Sequence, residues 1–258
     1  MHTNLLKEEK MDKKVAVVTG GSSGLGFAMA SELKKQGFFV VVVARKKIEN
    51  SNFDDFVSCD LSDETARQNL IEELKNHYPA INILINNAGI GSYATNYELA
   101  LSDLRRLMEI NYFAVVDLNS SLLDNVAKTC GTIVNISSVA GLMPVACMGA
   151  YCSSKAALFM HSESLRMEVG AKKVHVLTVC PGRINTGFSS RAIRVRECPD
   201  TPSNKNESAE KLAQKIYKAI IKKRDILIFP WWYSMVIGFA RKFKKIYRYG
   251  NKRVWNLD

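Results

Sequence analysis

The chain has 258 residues, 47% of them hydrophobic and 24% charged, which are the proportions of a globular protein that can bury one large core. Its six cysteines are scattered and none has metal-ligand spacing, which argues against a disulfide framework or a zinc site and favours a reduced, cytoplasmic protein. The net charge of +11 comes entirely from residues 211–258, so the body is electrically balanced and we expect no nucleic-acid partner.

Apolar runs and helical patterns alternate along the chain. Residues 1–12 are too polar for a signal peptide and predict a disordered N-terminal extension. The predicted strands are Val15–Val18, Phe38–Val43, Ile81–Ile85, Thr132–Ile136, Val174–Val179 and Ile226–Phe229. The predicted helices are Leu25–Gln36, Ser62–Asn76, Ser102–Lys128, Ala150–Val169 and Ser208–Lys222. This alternation indicates βαβ units, and hence an α/β fold with a parallel sheet covered by helices on both faces.

Ligands bind beyond the carboxyl ends of the strands in such a sheet, so the residues that follow each strand are the candidates for function. The first strand is followed by a glycine-rich turn, TGGSSGLG at residues 19–26, which leads directly into a helix. Glycines permit a tight turn and close approach of the backbone, and a helix N-terminus offers free N–H groups to a phosphate. A plain strand-to-helix turn is the alternative, but the position after the first strand favours dinucleotide binding.

The end of the second predicted strand bears on the choice of nucleotide. An NAD site usually has a carboxylate here that holds the ribose hydroxyls, but this chain has Ala44 followed by Arg45. Arg45 can form a charge-assisted contact with the 2′-phosphate of NADP, which a carboxylate would repel. The sequence therefore favours NADP(H) over NAD(H), with a solvated basic loop as the alternative.

A tyrosine and a lysine four residues apart open the helix predicted from residue 150. This spacing places Tyr151 and Lys155 on one helical face, where the ammonium group favours the phenolate and lowers the pKa of the tyrosine. Ser137 and Ser138 follow the strand just upstream, and alternation along that strand should point Ser137 away from the site.

Together these motifs resemble the short-chain dehydrogenase/reductase family over about residues 13–230. The resemblance rests on TGxxxGxG at 19–26, NNAG at 86–89, YxxxK at 151–155 and Pro181-Gly182, each in order at a predicted strand or helix boundary. It implies a single-domain, Rossmann-type doubly wound sheet of about seven strands, between the extension 1–12 and a C-terminal extension 231–258. Relatives often form dimers or tetramers through the two long helices, here Ser102–Lys128 and Ala150–Val169.

The resemblance also implies roles for particular residues. Tyr151 is the acid/base, Ser138 hydrogen-bonds the substrate oxygen, and Asn111 fixes a water that links Lys155 to solvent. The implied cofactor contacts are Gly20, Ser22, Ser23, Gly24, Leu25, Gly26, Arg45, Asp60, Leu61, Asn87, Ala88, Gly89, Tyr151, Lys155, Pro181, Gly182, Ile184 and Thr186. Asp60 and Leu61 meet the adenine ring, and Ile184 and Thr186 meet the nicotinamide carboxamide and the pyrophosphate.

Two later segments bear on the substrate and on partners. Residues 187–206 are polar and basic and predict a mobile lid that selects the substrate. Residues 226–240 are apolar and residues 241–250 basic and aromatic, too short an apolar run to span a bilayer. Residues 231–239 favour core packing over the substrate pocket or against a neighbouring subunit. The alternatives for residues 231–250 are a segment lying on an anionic membrane and, less favoured, a surface for a nucleic acid or an acidic protein.

The sequence as a whole predicts an NADP(H)-dependent oxidoreductase that interconverts a carbonyl and a primary or secondary alcohol. The tail favours an apolar substrate that is lipid-, steroid- or retinoid-like, or a 3-oxoacyl group. A non-catalytic, NADP(H)-sensing or membrane-docked binding protein is the alternative, but it need not keep Asn111, Ser138, Tyr151 and Lys155 together.

Overall fold

The computed structural model describes residues 13–47, 53–197 and 207–257. The predicted extension 1–12 and residues 198–206 of the predicted lid lie outside the described residues. Within these ranges the central sheet has seven parallel strands, which are Val15–Thr19 (β1), Phe39–Ala44 (β2), Asp55–Ser58 (β3), Ile83–Asn86 (β4), Thr132–Ile136 (β6), His175–Pro181 (β7) and Ile226–Phe229 (β11). Two short parallel pairs lie apart from it, Ser92–Tyr93 (β5) with Ile193–Arg194 (β9) and Ile184–Asn185 (β8) with Glu207–Ser208 (β10).

Helices cover both faces of this sheet. They are Gly24–Lys35 (α1), Glu64–His77 (α2), Leu101–Met108 (α3), Ala114–Ser121 (α4), Leu123–Ala127 (α5), Gly149–Glu168 (α6), Ala209–Ile221 (α7), Tyr233–Lys242 (α8) and Lys244–Val254 (α9). Successive side chains of a strand point to opposite faces, so Ala16 and Val18 pack with α1 and α7. Val15 and Val17 pack on the other face with α2, α4 and α6. Burial on both faces explains why the inner strands are continuous apolar runs.

The strand order across the sheet is β3-β2-β1-β4-β6-β7-β11. The order reverses between β1 and β4, which makes the crevice at their carboxyl ends the expected ligand site. The predicted doubly wound α/β sheet of about seven strands is therefore confirmed. The sequence pattern located six of the strands and missed β3. That strand lies at the sheet edge and buries only Val57, so it lacks the apolar run of the inner strands.

The predicted helix Ser102–Lys128 is present, but it is not a single regular α-helix. The segment predicted as Ser102–Lys128 is divided into α3, a π-helical turn at Glu109–Phe113, α4 and α5. A π-turn inserts one residue into the helical repeat and is common at functional sites. Here it contains Asn111, which is fully buried and faces the sheet.

The C-terminal residues 231–257, which we call the C-terminal cap, contain α8 and α9. The cap follows β11 and folds back over the carboxyl ends of the strands, where its side chains line the cavity described below. None of the helices in the described residues combines the length and the apolar character that crossing a bilayer requires.

Candidate active site

A cavity of about 1130 Å³ opens at the carboxyl ends of the central strands. Seventeen of the twenty residues predicted to form the site line it, and they are Gly20, Ser22, Ser23, Leu25, Arg45, Asp60, Leu61, Asn87, Ala88, Gly89, Ser138, Tyr151, Lys155, Pro181, Gly182, Ile184 and Thr186. The other three, Gly24, Gly26 and Asn111, do not line the cavity but pack directly behind residues that do. The sequence motifs thus converge on one space.

The glycine-rich turn needs its glycines for backbone conformation and for close contact. Gly20 and Gly24 have positive φ values of +64° and +54°, which L side chains rarely adopt. A Cβ at Gly26 would overlap the carbonyl oxygen of Gly20, and a Cβ at Gly24 would lie 2.9 Å from the Cβ of Thr186. The turn therefore leaves an open concave surface at the N-terminus of α1.

Hydrogen bonds tie this turn to the end of β4. The Nδ2 of Asn87 donates to the carbonyl oxygen of Thr19 at 3.0 Å and to that of Gly20 at 3.3 Å. The Oγ1 of Thr19 accepts hydrogen bonds from the backbone N–H groups of Asn87 and Ala88. The NNAG segment thus holds the glycine-rich turn in place as well as lining the cavity.

A chain of buried amides lies beneath that segment. The Nδ2 of Asn86 donates to Asn119 at 2.7 Å and to Asn135 at 2.9 Å, and Asn135 donates in turn to Ser162. All of these side chains are buried, and their hydrogen bonds hold them in one arrangement, although the Oδ1 of Asn86 has no partner among the described residues. The chain links β4, β6, α4 and α6, the elements from which the site is built.

Basic and acidic side chains meet at the ends of β2 and β3. Arg45 is exposed, lines the cavity and belongs to no ion pair among the described residues, so its guanidinium is available to an anion. Partial burial raises the pKa of Asp60, but hydrogen bonds from Ser62 and the charges of Arg45 and Arg106 outweigh it and hold that pKa below its usual value. Ala44, beside Arg45, brings no carboxylate to this end of the cavity.

Tyr151, Lys155 and Ser138 meet at the other end of the cavity. Tyr151 and Lys155 lie one turn apart on α6, and both are almost completely buried. The Nζ of Lys155 lies 6.0 Å from the centre of the Tyr151 ring and donates a hydrogen bond to the carbonyl oxygen of Ile136 at 2.8 Å. Burial lowers the pKa of Lys155 to about 8. The sequence predicted a lowered pKa for Tyr151, and this prediction is wrong: burial of the phenol raises the pKa of Tyr151 above its ordinary value, and a hydrogen bond with Ser138 only partly opposes that rise.

Both adjacent serines line the cavity, but their hydroxyl groups have different partners. The hydroxyl of Ser137 donates to the carbonyl oxygen of Lys155 at 2.8 Å, which anchors β6 to α6. The hydroxyl of Ser138 lies in the cavity, where it contacts Tyr151, accepts from the N–H of Ala140 and donates to the carbonyl oxygen of Pro181. Ser138 is therefore the serine that can reach a ligand.

Asn111 lies behind Gly89 and close to Lys155. Its Oδ1 accepts from the N–H of Ile90 at 2.9 Å, and its Nδ2 donates to the carbonyl oxygen of Ile90 and to Ser154. A Cβ at Gly89 would lie 3.0 Å from the Oδ1 of Asn111 and 3.5 Å from the Nζ of Lys155. The absence of a side chain at Gly89 thus lets Asn111 and Lys155 approach each other.

The segment after Pro181-Gly182 is more tightly held than the predicted mobile lid, at least as far as residue 197. Arg196 forms two hydrogen bonds with the carboxylate of Glu98, at 2.7 and 2.8 Å, and holds the pKa of Glu98 at about 2. β9 pairs with β5, and the Phe188 ring lies 5.8 Å from that of Tyr151. Phe188 lies in the segment predicted to select the substrate, but no spaced motif indicated this residue or Glu98.

The cap contributes one wall of the cavity, as in the predicted alternative of packing over the substrate pocket, but no motif indicated which residues form that wall. Tyr233, Tyr247, Asn251 and Trp255 line the cavity. The last three are spaced by four residues and therefore share one face of α9, which was the available indication of an inward face.

A cradle for phosphates at one end of a cavity and a buried tyrosine and lysine at the other are the arrangement of a dinucleotide-dependent oxidoreductase. The comparisons with known proteins agree. Residues 14–195 match the family described as short chain dehydrogenase, and the chain belongs to that family.

Several curated relatives are similar over most of the chain. It is 33% identical to a 3-ketodihydrosphingosine reductase of Bacteroides thetaiotaomicron, over 69% of this chain and 67% of that protein. It is also 33% identical to a Dehydrogenase/reductase SDR family protein 7-like of Drosophila melanogaster, over 83% and 72% of the two chains. An NADPH-dependent 1-acyldihydroxyacetone phosphate reductase of Schizosaccharomyces pombe is 29% identical, over 74% and 67%.

Solved structures share the fold at lower identity. A short-chain dehydrogenase/reductase of Burkholderia phymatum in complex with NAD has a TM-score of 0.79 and 22% identity, with 92% of this chain and 96% of that chain covered. A short-chain dehydrogenase of Sphingobium yanoikuyae in complex with NADPH has a TM-score of 0.76 and 24% identity, with 90% and 95% covered. Because these two structures contain different nucleotides, the shared fold does not determine the cofactor, and the side chains at the nucleotide end of the cavity do.

Proposed function

We propose that this protein is an NADP(H)-dependent oxidoreductase that interconverts a carbonyl and a primary or secondary alcohol. The observation that carries the proposal is that Ser138, Tyr151 and Lys155 line the same cavity as the glycine-rich turn. A nucleotide on the turn and a substrate beside Tyr151 would thus share one space that is partly closed to water.

NADP(H) fits the residues at the nucleotide end. The positive φ values of Gly20 and Gly24 and the absence of side chains on them leave a concave backbone surface, and the N-terminus of α1 adds N–H groups for a pyrophosphate. The guanidinium of Arg45 belongs to no ion pair in the described part of the chain and lies beside Ala44, so it suits a 2′-phosphate. The relative from Schizosaccharomyces pombe is described as NADPH-dependent, which supports the same assignment.

The side chains at the substrate end of the cavity have different roles in carbonyl reduction. Bound NADPH supplies a hydride to the carbonyl carbon. Tyr151 donates its phenolic proton to the carbonyl oxygen, and Ser138 donates a hydrogen bond to that oxygen as negative charge develops. Burial keeps Tyr151 protonated, which is the state that can donate, because burial raises the pKa of its phenol.

Lys155 and Asn111 support this proton transfer. The ammonium group of Lys155, held by the carbonyl of Ile136, stabilises the phenolate that Tyr151 becomes. Asn111 is fixed by Ile90 and Ser154 on the far side of Lys155, and we assign it to the path by which the proton is replaced. Both side chains act through Tyr151, whereas Ser138 contacts the substrate oxygen directly.

The pKa of Lys155 predicts the pH dependence of reduction. Since burial lowers that pKa to about 8, Lys155 is protonated below pH 8 and loses its charge above it, while Tyr151 stays protonated throughout. We expect kcat/KM for carbonyl reduction to fall by about tenfold from pH 7 to pH 9, with an apparent pKa near 8. Initial rates between pH 6 and pH 10 test this.

A Lys155→Arg variant is the control, because its guanidinium does not titrate in this range. Its residual activity should not fall between pH 7 and pH 9. A wild-type profile that stays flat to pH 10 would contradict the role of Lys155.

The substrate end of the cavity is mostly apolar. Its walls include Met143, Val145, Met148 and Phe188, with Val254 and Trp255 from the cap, and its polar residues besides Ser138 and Tyr151 include Tyr247 and Asn251. Such a lining favours the burial of a hydrocarbon chain or ring system. We therefore propose a lipid-, steroid- or retinoid-like ketone or aldehyde, or a 3-oxoacyl group. The names of the relatives, which include a 3-ketodihydrosphingosine reductase, support a lipid-like substrate.

Oxidation of NADPH across a panel of carbonyl compounds tests the function. The panel should contain long-chain ketones, steroid ketones, retinal and 3-oxoacyl thioesters, together with small water-soluble ketones. We expect turnover of at least one apolar compound, with alcohol formed in equal amount to the NADPH consumed. NADPH binding without turnover of any compound would instead support a non-catalytic, NADP(H)-sensing or membrane-docked protein.

We also propose partners and a location. Phe113, Met160 and Met167 are exposed apolar side chains on the predicted dimer helices, and they support a homodimer or homotetramer formed through these helices.

We place the protein in the cytoplasm, with a peripheral membrane contact through residues 231–250. The reductase domain then spans residues 13–230, after an extension at 1–12 and before the C-terminal extension 231–258.

A further inference from the structure

The inner face of the C-terminal cap contacts the reductase domain through hydrogen bonds and a ring contact. Tyr247 donates a hydrogen bond to the carbonyl oxygen of Pro144 at 2.7 Å, and the Oδ1 of Asn251 accepts one from the N–H of Ala146 at 2.7 Å. Trp255 is buried, with its ring 6.0 Å from that of Tyr93. These contacts fix α9 against the segment that leads into the helix of Tyr151.

The first cap helix is anchored at the cofactor end. The ring of Tyr233 lies so close to Gly182 that a Cβ there would overlap it, and Tyr233 stacks on Trp232 with ring centres 3.9 Å apart. Ile237 and Ala240 on the same helix are buried. These contacts hold the cap in one orientation against the reductase domain, with one face towards the cavity.

The outer face of the cap is apolar and exposed in the described part of the chain. Eight of the seventeen large hydrophobic side chains that are exposed in the described residues belong to the cap. One of them, Val254, lines the cavity, and the other seven are Trp231, Trp232, Met235, Phe239, Phe243, Ile246 and Tyr249. Trp231, Met235 and Phe239 are spaced by four residues and lie on one side of α8 and the turn before it. Ile246 and Tyr249 are three residues apart and share one side of α9. A continuous exposed patch of this kind marks an interaction surface.

Positive charge surrounds this patch. Residues 231–257 contain seven basic side chains and no acidic one, and the seven are Arg241, Lys242, Lys244, Lys245, Arg248, Lys252 and Arg253. All seven are exposed, and none belongs to an ion pair among the described residues. Tryptophan, tyrosine and phenylalanine among lysines and arginines are the composition of a helix that lies in the headgroup region of an anionic bilayer.

We infer that the outer face of the C-terminal cap docks on an anionic lipid surface, and that docking delivers the substrate cavity to the bilayer. The second half of this inference rests on the proposed reductase function. Tyr247, Asn251 and Trp255 line the cavity from one side of α9, while Ile246 and Tyr249 project from its other side. One helix, about 10 Å thick with its side chains, therefore separates the cavity from the lipid, so an apolar ketone need not cross water.

Charge supplies the first test of docking. The variant Lys244→Gln/Lys245→Gln/Arg248→Gln should bind vesicles of equal parts phosphatidylcholine and phosphatidylserine roughly 100-fold more weakly than the wild type, as each basic side chain contributes about fivefold. Lys215→Gln/Lys218→Gln/Lys222→Gln removes the same charge from exposed positions on α7 and should bind like the wild type. Co-sedimentation at increasing lipid concentration measures both. Equal weakening in the two variants would overturn the inference, as would wild-type binding to phosphatidylcholine alone of the same strength.

A matched pair of isoleucines supplies the second test. Ile246 on the cap and Ile221 at the end of α7 are each 62% exposed, so neither substitution by glutamine should affect folding. Ile246→Gln should weaken vesicle binding about tenfold and Ile221→Gln should not. If the protein instead dimerises without lipid, and Ile246→Gln alone abolishes that dimer, the face belongs to a second copy and the inference is wrong.

Turnover separates this inference from the proposed function. The cap charge variant should reduce a small water-soluble ketone at the wild-type rate, but a long-chain ketone carried in phosphatidylserine-containing vesicles at least tenfold more slowly. Loss of vesicle binding without any change in turnover of the embedded ketone would overturn the delivery role and leave the reductase function intact. If the protein binds vesicles but turns over neither ketone, the proposed reductase function and the delivery role are both wrong. The docking of the cap on lipid would then still stand.

Discussion

Replacing Tyr151 with phenylalanine should lower kcat/KM for carbonyl reduction by about 10³-fold, because it removes the group that protonates the substrate oxygen. The ring is buried beside Phe188, and phenylalanine fills the same space, so the cavity should keep its shape. Binding of NADPH, measured by quenching of protein fluorescence or by calorimetry, should change less than threefold. The loss should therefore appear in turnover with nucleotide affinity preserved.

Two further variants show whether the loss of activity is specific to Tyr151. Tyr217→Phe changes a tyrosine that packs against Phe38 on the α7 side of the sheet, away from the cavity, and it should keep full activity. Ser138→Ala should cost about 10²-fold, because one donor to the developing oxyanion is lost. If Tyr151→Phe retained more than a tenth of the wild-type activity, another group would have to supply the proton, and the assignment of Tyr151 would be abandoned.

The sheet could be predicted from the sequence because its inner strands are buried on both faces. That burial demands continuous apolar runs, such as Val40–Val43, and these stand out against the helical patterns between them. β3 could not be located in this way, since one buried residue in four gives no run. The predicted site residues needed only short spacings and strand ends, which is why seventeen of them reach one cavity.

The parts that could not be predicted depend on contacts between distant segments. The π-turn at Glu109–Phe113 is stabilised through hydrogen bonds between Asn111 and Ile90, which no local pattern encodes. The sequence could not decide where the cap packs, because an apolar stretch followed by a basic and aromatic one is compatible with the core, with a subunit interface and with a membrane surface. The structure shows that its two faces differ, because Trp255 is buried and Ile246 is exposed.

The choice of nucleotide should depend on two adjacent residues at the end of β2. Arg45→Ala should weaken NADPH binding by about 30-fold and leave NADH binding unchanged, since a hydrogen bond to a charged group contributes roughly 1.5–3 kcal/mol. The double variant Ala44→Asp/Arg45→Ala adds a carboxylate that repels the 2′-phosphate and can hold the ribose hydroxyls of NADH. Its ratio of NADPH to NADH affinity should fall by about 10³-fold relative to the wild type.

Lys47 provides a matched control for this prediction. It is a second exposed cation two residues from Arg45, but it does not line the cavity, so Lys47→Ala should leave both affinities within twofold of the wild type. Titration of each variant with both nucleotides at two salt concentrations measures the effects. Because the Arg45 contact is exposed, its contribution should decrease as ionic strength rises. An equal loss of NADPH and NADH affinity in Arg45→Ala would show that Arg45 contacts a part common to both nucleotides, and the preference for NADP(H) would then need another cause.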